Sequence, residues 1–488
     1  MIGKTQKLWY DIKSESVPGA RVGPGSEGRP PAMRKRLLVC LVAVLCTLGL
    51  SGCIFGEVDE MYALPKSSKA YVNLQARINQ EKGSAEYIAP LSGENRQTIQ
   101  LVDVDQDGEQ EAISFFRDTS SDTPLTIVIF KQDDRGEYQV LTKIQGVGSD
   151  IEFISYPDLG GAGGDILVSW QVNASTRTLA AYTITGDQPA EIFKANGGRC
   201  LTADLDGDDK EEIILAPACN GETSFHLESL RLDYYDNQEG RMELVSTSPL
   251  SQGTTDIDTW SVGQLSDGTP ALFVTSFCKK DVLITDVFCL SQGRDLKNIA
   301  LNPETHKSKD VYHYAAGVEP TDIDGDGALE VPVSVSVPSF GDSDQATFWW
   351  LRWVAYQPDG TRTVTRITYH SGDNWYLEIP SDWTGQFSMR RQESTTIGVR
   401  TVTFARGVDQ EAYGDEPATE AEPFLQITCL TGNDRSRQAQ QGGRFLLSST
   451  TSTICTGEFL TSSWDCGLDQ AGLKALFHAD QTGWNTNQ

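Results

Sequence analysis

Basic residues are scarce in this chain: 40 Lys and Arg stand against 68 Asp and Glu over 488 residues, a formal net charge of −28. That balance excludes nucleic acid as a partner, because phosphate binding needs a basic footprint. It also disfavours direct adsorption to an anionic lipid surface. Histidine is rarer still. His226, His306, His313, His370 and His478 are scattered without metal-ligand spacing, so each reads as a surface or packed residue. No cysteine spacing resembles a zinc site. There is no G-x-S-x-G elbow and no H-E-x-x-H. The GGAGG at 160–164 lacks the Lys and Ser/Thr of a phosphate loop. With no catalytic motif visible, the expectation is a protein that is not an enzyme.

An apolar run of membrane-spanning length is also lacking where one is looked for first. Leu37–Leu50 follows Arg34, Lys35 and Arg36 and has the length of a signal h-region, too short for a span. It closes on Leu50-Ser51-Gly52-Cys53, which resembles the lipobox of bacterial lipoproteins. The resemblance implies that residues 33–52 are a signal peptide and that Cys53 is the lipidated first residue. It also implies an anchor in the cell membrane, with the protein on its extracytoplasmic face. Residues 1–32, polar and rich in Gly and Pro, read as a non-native or disordered extension ahead of a start at Met33. Cutting before Cys53 removes eight basic and three acidic residues and leaves 32 against 65. Seven cysteines remain beyond Cys53: Cys200, Cys219, Cys278, Cys289, Cys429, Cys455 and Cys466. Export permits disulfides, and the odd count leaves at least one thiol over. Cys200 and Cys219 flank one acidic stretch, where a bridge would brace it.

What the chain does have is a repeated acidic phrase. DVDQDGEQE from Asp103, DLDGDDKEE from Asp204 and DIDGDGALE from Asp322 each place Asp at positions 1, 3 and 5 and Glu at position 9. Strand-like residues follow each one. An EF-hand would delay its closing Glu to position 12 and continue as a helix, so these loops sit between strands. Four carboxylates held together repel one another unless a cation offsets them. A set of hard oxygens on a flexible loop suits calcium better than magnesium, which demands a stricter octahedron. Gly108, Gly207, Gly325 and Gly327 allow the tight turning that aims oxygens inward. Asp209 stands where the other loops carry a glycine, so the second loop has the least certain geometry.

Eroded copies fill the gaps: YPDLGGAGGDILVSW from Tyr156 and VGQLSDGTPALFVTS from Val262, neither expected to hold a metal. Counted from 103, 158, 204, 264 and 322, the intervals are 55, 46, 60 and 58 residues, about one propeller blade each. Hairpin turns recur within units at Asp133–Gly136, Asn237–Gly240 and Gln357–Gly360. On these motifs the chain resembles the FG-GAP and VCBS repeat proteins, whose D-x-D-x-D-G-x-x-[DE] loops bind calcium between strands, as in integrin α-subunit propellers. The resemblance implies side-chain oxygens from Asp103, Asp105, Asp107 and Glu111 with the carbonyl of Glu109. It implies Asp204, Asp206, Asp208 and Glu212 with the carbonyl of Lys210 in the second loop. In the third it implies Asp322, Asp324, Asp326 and Glu330 with the carbonyl of Ala328.

The expected fold is therefore all-β: a β-propeller of about five to seven blades over 96–370, then a small β-rich C-terminal domain over 371–488. The phrase NWYLEIPSDWTGQFSMRR in that domain looks like a β-domain that follows such repeats in lipoproteins of Firmicutes-type bacteria. Residues 53–95 read as a lipidated tether with a short helix, since Tyr71, Leu74 and Ile78 recur at helical spacing and Gly83 fits as its stop. A second helix is expected from Leu468 to His478. The aromatic run Phe348 to Trp353 reads mainly as packing between blades, and the acidic run from Asp409 to Glu422 as a solvated loop. The functional expectation is a surface binding or scaffold module stabilised by structural calcium, with a protein or polysaccharide ligand. The alternative is a lyase or glycosidase acting on polysaccharide, since carboxylate pairs cannot be read from spacing alone.

Overall fold

The computed structural model describes residues 69–174, 176–217, 231–279, 282–313, 318–394, 398–408 and 419–479. The signal-like segment, Cys53, the tether up to residue 68, Cys219 and His226 lie outside the described residues. Ala70–Gln488 form one compact unit.

Among the described residues, six antiparallel sheets of four or five strands follow one another along the chain. The first runs through Ile99–Val102, Glu111–Arg117, Leu125–Gln132 and Tyr138–Gly146. The second runs from Asp150–Ser155 to Gln188–Asn196, the third from Arg199–Ala203 to Arg241–Pro249, and the fourth from Asp256–Gln264 to Asp295–Asn298. The fifth holds Val331–Pro338, Thr347–Tyr356, Arg362–Ser371 and Trp375–Glu378, and the sixth lies between Phe387–Ser394 and Thr453–Phe459. Within each unit neighbours in sequence are mostly neighbours in the sheet, joined by short turns such as Glu239-Gly240, where both residues take positive φ (55° and 86°).

Each sheet packs a face against the next. Ile113, Phe115 and Ile127 meet Ile151, Ile166 and Val168 of the second sheet. Leu167 and Leu179 of the second meet Ile213 and Leu215 of the third, whose other face puts Ile214 and Leu232 against Leu272 and Phe288 of the fourth. Phe273 and Val287 then meet Val331 and Tyr356 of the fifth, and Phe348, Trp350 and Tyr369 meet Phe404 and Leu425 of the sixth. Strands buried on both faces read as continuous apolar runs, and side-chain alternation decides which neighbour each residue meets. Small meandering sheets stacked face to face in chain order are propeller-type architecture, in six units.

The expected boundary at residue 370 falls inside the fifth sheet. Trp375–Glu378 pairs with Arg362–Ser371, and Phe477–Ala479 returns from the end of the described chain to pair with Trp375–Glu378. The aromatic run divides by face: Phe348 and Trp350 enter the core against the sixth sheet, while Trp353 packs with Val318 and Leu351 on the other side. The indole N–H of Trp353 donates to Thr368 Oγ1 at 2.8 Å.

Helix Lys69–Lys82 forms where the spacing predicts it, with Gly83 just past its end at φ 55°. Leu74 and Ile78 are buried against Ala112, Phe116 and Phe130 of the first sheet. Tyr71, expected on the same face, is 54% exposed. The last helix is shorter than expected, Gln470–Leu476, capped by Asp469 accepting from Gly472 N at 2.7 Å. His478 lies in the strand that follows, because pairing with the fifth sheet takes over. Cys429 and Cys455 face each other across paired strands of the sixth sheet and form a disulfide. Cys200 is a free thiol, and Cys219, the partner suggested for it, lies outside the described residues.

A buried polar cluster stands between the fourth and fifth sheets. Asp310 accepts from Arg362 at 2.6 Å and from the Tyr356 hydroxyl, and Asp286 accepts from Ser251 and Asn298. Burial pushes the Asp310 carboxyl up to about 6, Asp286 adding to it and Arg362 opposing. A folded-state value above the unfolded one of about 4 favours the fold at low pH. That contribution is complete below about pH 4 and is lost as pH rises through about 6. Asp310→Asn is therefore expected to flatten, by up to about 3 kcal/mol, the fall in unfolding free energy between those pH values. Urea titrations in chelator at pH 4 and 6.5 check this.

Candidate metal centres

The first and second acidic loops join the first two strands of the first and third sheets. The third lies between Thr321 and Val331–Pro338, its ends tied by the Thr321–Glu330 bridge. All three are built by one set of hydrogen bonds. The first Asp turns its carboxylate back onto the loop. Asp103 accepts from the N–H groups of Asp107 (3.2 Å) and Gly108 (3.0 Å). Asp204 accepts from Gly207 (2.7 Å) and Asp209 (3.1 Å), and Asp322 from Gly325 (2.7 Å), Asp326 (3.1 Å) and Gly327 (3.0 Å). The fifth-position aspartates, Asp107, Asp208 and Asp326, each accept at 2.8 Å from the N–H of the seventh residue: Glu109, Lys210 and Ala328. That holds, from its N–H side, the residue whose carbonyl the family resemblance assigns to the ion.

The closing glutamate is the anchor. One oxygen of Glu111, Glu212 and Glu330 accepts from the N–H of Val104 (3.0 Å), Leu205 (2.8 Å) and Ile323 (3.1 Å), the second loop residue in each case. All three glutamates are at most 1% exposed. The other oxygen of Glu111 and of Glu330 is buried without a hydrogen-bond partner, as is Oδ1 of Asp105. Burial pushes Glu212 up to about 8 and Glu330 up to about 7, with the loop aspartates adding to it, and Glu111 is raised for the same reasons. Orphaned, desolvated carboxylate oxygens cost free energy unless a cation meets them. The donor set is all hard oxygen, which fits calcium or magnesium and no thiolate-preferring metal.

Four carboxylates of the second loop, Asp204, Asp206, Asp208 and Glu212, bring oxygens within 4.8 Å of one another. In the first loop Asp103, Asp105 and Glu111 do so, and in the third Asp322, Asp324 and Glu330. Asp107 and Asp326 stand outside those groups. Asp107 is drawn instead to Lys131, 2.5 Å away, which also bonds Asp105. These are the groups of three or more metal-capable side chains among the described residues. The side chain of Lys210 points out of its loop to Asp158 at 2.7 Å.

Each loop needs left-handed backbone at positions 4 and 6. The pairs are Gln106 and Gly108, Gly207 and Asp209, and Gly325 and Gly327, with φ between 58° and 95°. Asp209 thus takes the conformation of the glycine it replaces, which settles the geometry of the second loop. Gln106 is the poorest fit, since a bulky side chain is strained there. Gln106→Gly is expected to raise unfolding free energy by about 0.5–1 kcal/mol, and Gly325→Gln to lower it by a similar amount. Denaturant unfolding checks both.

The second loop residue links site to fold. Val104, Leu205 and their counterparts Leu159 and Leu265 in the eroded loops are each at most 2% exposed. Each lies in the core between its own sheet and the next. Adjacent loops also bond directly: Glu211 N donates to Asp158 O at 2.7 Å, and Leu329 N to Gln264 O at 2.9 Å. In the eroded second unit Asp165 takes the place of the closing glutamate. It accepts from Leu159 and Gly161 and from the Thr183 hydroxyl, so it has no need of an ion.

Sequence reasoning missed Lys131, Thr183 and Asp236, which reach the loops from across a strand. Hairpin register was the only signal that could have found them.

No protein-family model matches the chain, and no curated protein matches it. Solved structures similar to it include a protein from Lactobacillus plantarum, 13% identical, covering 71% of this chain and 97% of that one, with a TM-score of 0.24. A putative 6-phosphogluconolactonase from Bacteroides uniformis is 12% identical, covering 71% and 88%, with a TM-score of 0.27. An exotype rhamnogalacturonan lyase is 14% identical, covering 71% and 74%, with a TM-score of 0.27. Likenesses this remote say nothing of activity.

Proposed function

We propose that this protein is a calcium-stapled propeller-type binding module, held at the outer face of a cell membrane by lipid on Cys53. The observation that carries the metal is the pair of fully buried glutamates, Glu111 and Glu330, each turning an unpartnered oxygen into a preformed carboxylate loop. Calcium bound there would be held by the first-, third- and ninth-position carboxylates, with fifth-position Asp208 added in the second loop, and would supply a fixed positive charge. The chain's own residues do the rest. The loop fixes its second residue, and that residue fixes the packing between successive sheets. Modules outside the cell bind calcium at roughly 10⁻⁴–10⁻³ M, so the ion is a permanent staple in that setting.

The lipobox-like phrase supports the anchor, and the described residues hold no helix long and apolar enough to cross a membrane. A protein or polysaccharide ligand is the proposed partner. An open cleft of about 900 Å³, lined by Ser246, Ser248, Asp295, Lys297, Asn298 and Asp359 among others, is one place to seek it. Equilibrium dialysis of the full chain against calcium tests the metal. At least two ions per chain, lost in the Asp204→Asn, Asp322→Asn double variant, supports the reading, and no uptake sinks it. Labelled fatty acid incorporated by the wild type and not by Cys53→Ser tests the anchor.

A further inference from the structure

Strand register sets a different residue opposite each closing glutamate. Ala112 pairs with Phe130, Ile213 with Tyr235 and Val331 with Val354. Continued one residue beyond these last ladder pairs, the same register brings Lys131 opposite Glu111, Asp236 opposite Glu212 and Ala355 opposite Glu330. Three loops built by one plan therefore carry a positive, a negative and a neutral neighbour at the same place.

The consequences are already visible around the loops. Lys131 bonds Asp105 and Asp107 and draws Asp107 out of the first group. Asp236 acts on Asp206 and Glu212 as a further negative charge, and the second loop keeps all four carboxylates together. The eroded second unit shows the same position at work, since Thr183 there pairs with Asp165 and satisfies it. Lys131 does not satisfy everything it faces. The Glu111 side chain is 0% exposed and its Oε1 remains unpartnered, as does that of Glu330, also 0% exposed. The first loop thus retains the oxygens for an ion and holds an ammonium against the others.

We propose that the residue across the strand from the closing glutamate grades the three loops. Lys131 is a built-in cation that keeps the first loop closed without a divalent ion, and Asp236 makes the second loop the tightest site. This rests on the reading of the loops as calcium sites. A divalent ion entering the first loop must expel the ammonium or lie beside it, and like charges in contact oppose each other. An ion entering the second loop meets four carboxylates, with the charge of Asp236 beside them, against three in the third. Filling runs second, third, first.

Calorimetric titration of the chelator-stripped full chain with calcium tests this. The wild type is expected to take up two ions below 1 mM, Lys131→Met three, and Asp236→Asn is expected to weaken the tightest site at least tenfold. Hydrogen exchange on the wild type in chelator gives a reading that needs no variant: 103–111 stays protected while 204–212 and 322–330 loosen. Three equal sites in the wild type, or an unchanged count in a normally melting Lys131→Met, overturn the grading and leave the calcium reading standing. No uptake by either protein overturns both.

Discussion

Removing calcium is expected to lower the unfolding free energy by about 1.4–2.7 kcal/mol for each loop that was filled at 10 mM ion. The figure follows from dissociation constants of 10⁻⁴–10⁻³ M and binding to the folded state alone. Two filled loops would contribute roughly 3–5 kcal/mol, a large part of the net stability of a typical domain. The physical source is the set of desolvated carboxylate oxygens in the second and third loops, those of Glu212 and Glu330 among them, which a cation would meet and water does not reach. The unfolding midpoint should keep rising with the logarithm of calcium concentration beyond saturation, because the linkage does not level off. Thermal unfolding across a calcium series reads it directly. Magnesium at equal concentration should give a smaller rise, since it dehydrates reluctantly and asks for a stricter octahedron.

Leu205→Ala is expected to cost about 2–5 kcal/mol, in chelator as well as in calcium. Leu205 is 2% exposed and lies among Ile214, Leu232, Leu272 and Phe288, between the third and fourth sheets. Its N–H is also the group that Glu212 accepts from, so the residue joins the carboxylate loop to the core. Removing its side chain leaves the loop chemistry intact and a void between sheets. Denaturant unfolding with and without calcium separates the two effects. A loss that appeared only in calcium would mean that the leucine acts through the ion and not through packing.

Much of this was legible in sequence because the repeat is written in residues that need each other. Asp at 1, 3 and 5 and Glu at 9 specify loop and strand together. The structure places every one of those side chains on its loop and brings most of them within reach of one ion. Strands such as Glu111–Arg117 were equally plain, being apolar on both faces between two neighbours. What stayed hidden depends on contacts distant in sequence. Lys131 lies two strands on from Asp105, and nothing local marks it as a counter-ion. Residues 371–488 read as a small β-rich domain because the texture of the sequence changes after His370, yet Phe404 and Leu425 of the sixth sheet pack on Phe348 and Trp350 of the fifth. Phe477–Ala479 reads as the end of a helix until its pairing with Trp375–Glu378 is seen. The left-handed Gln106 and Asp209 were hidden for another reason: the loop's hydrogen bonds impose a conformation that neither residue prefers.

Divalent ions seated in the acidic loops and bracing the sheets would be visible directly. Anomalous difference density from crystals grown in calcium locates such ions without inference. Strong peaks are expected among Asp204, Asp206, Asp208 and Glu212 and among Asp322, Asp324 and Glu330, with the Lys131 ammonium beside Asp105 and Asp107 in the first loop. Empty density at all three loops, with the closing glutamates unchanged, would contradict the calcium reading.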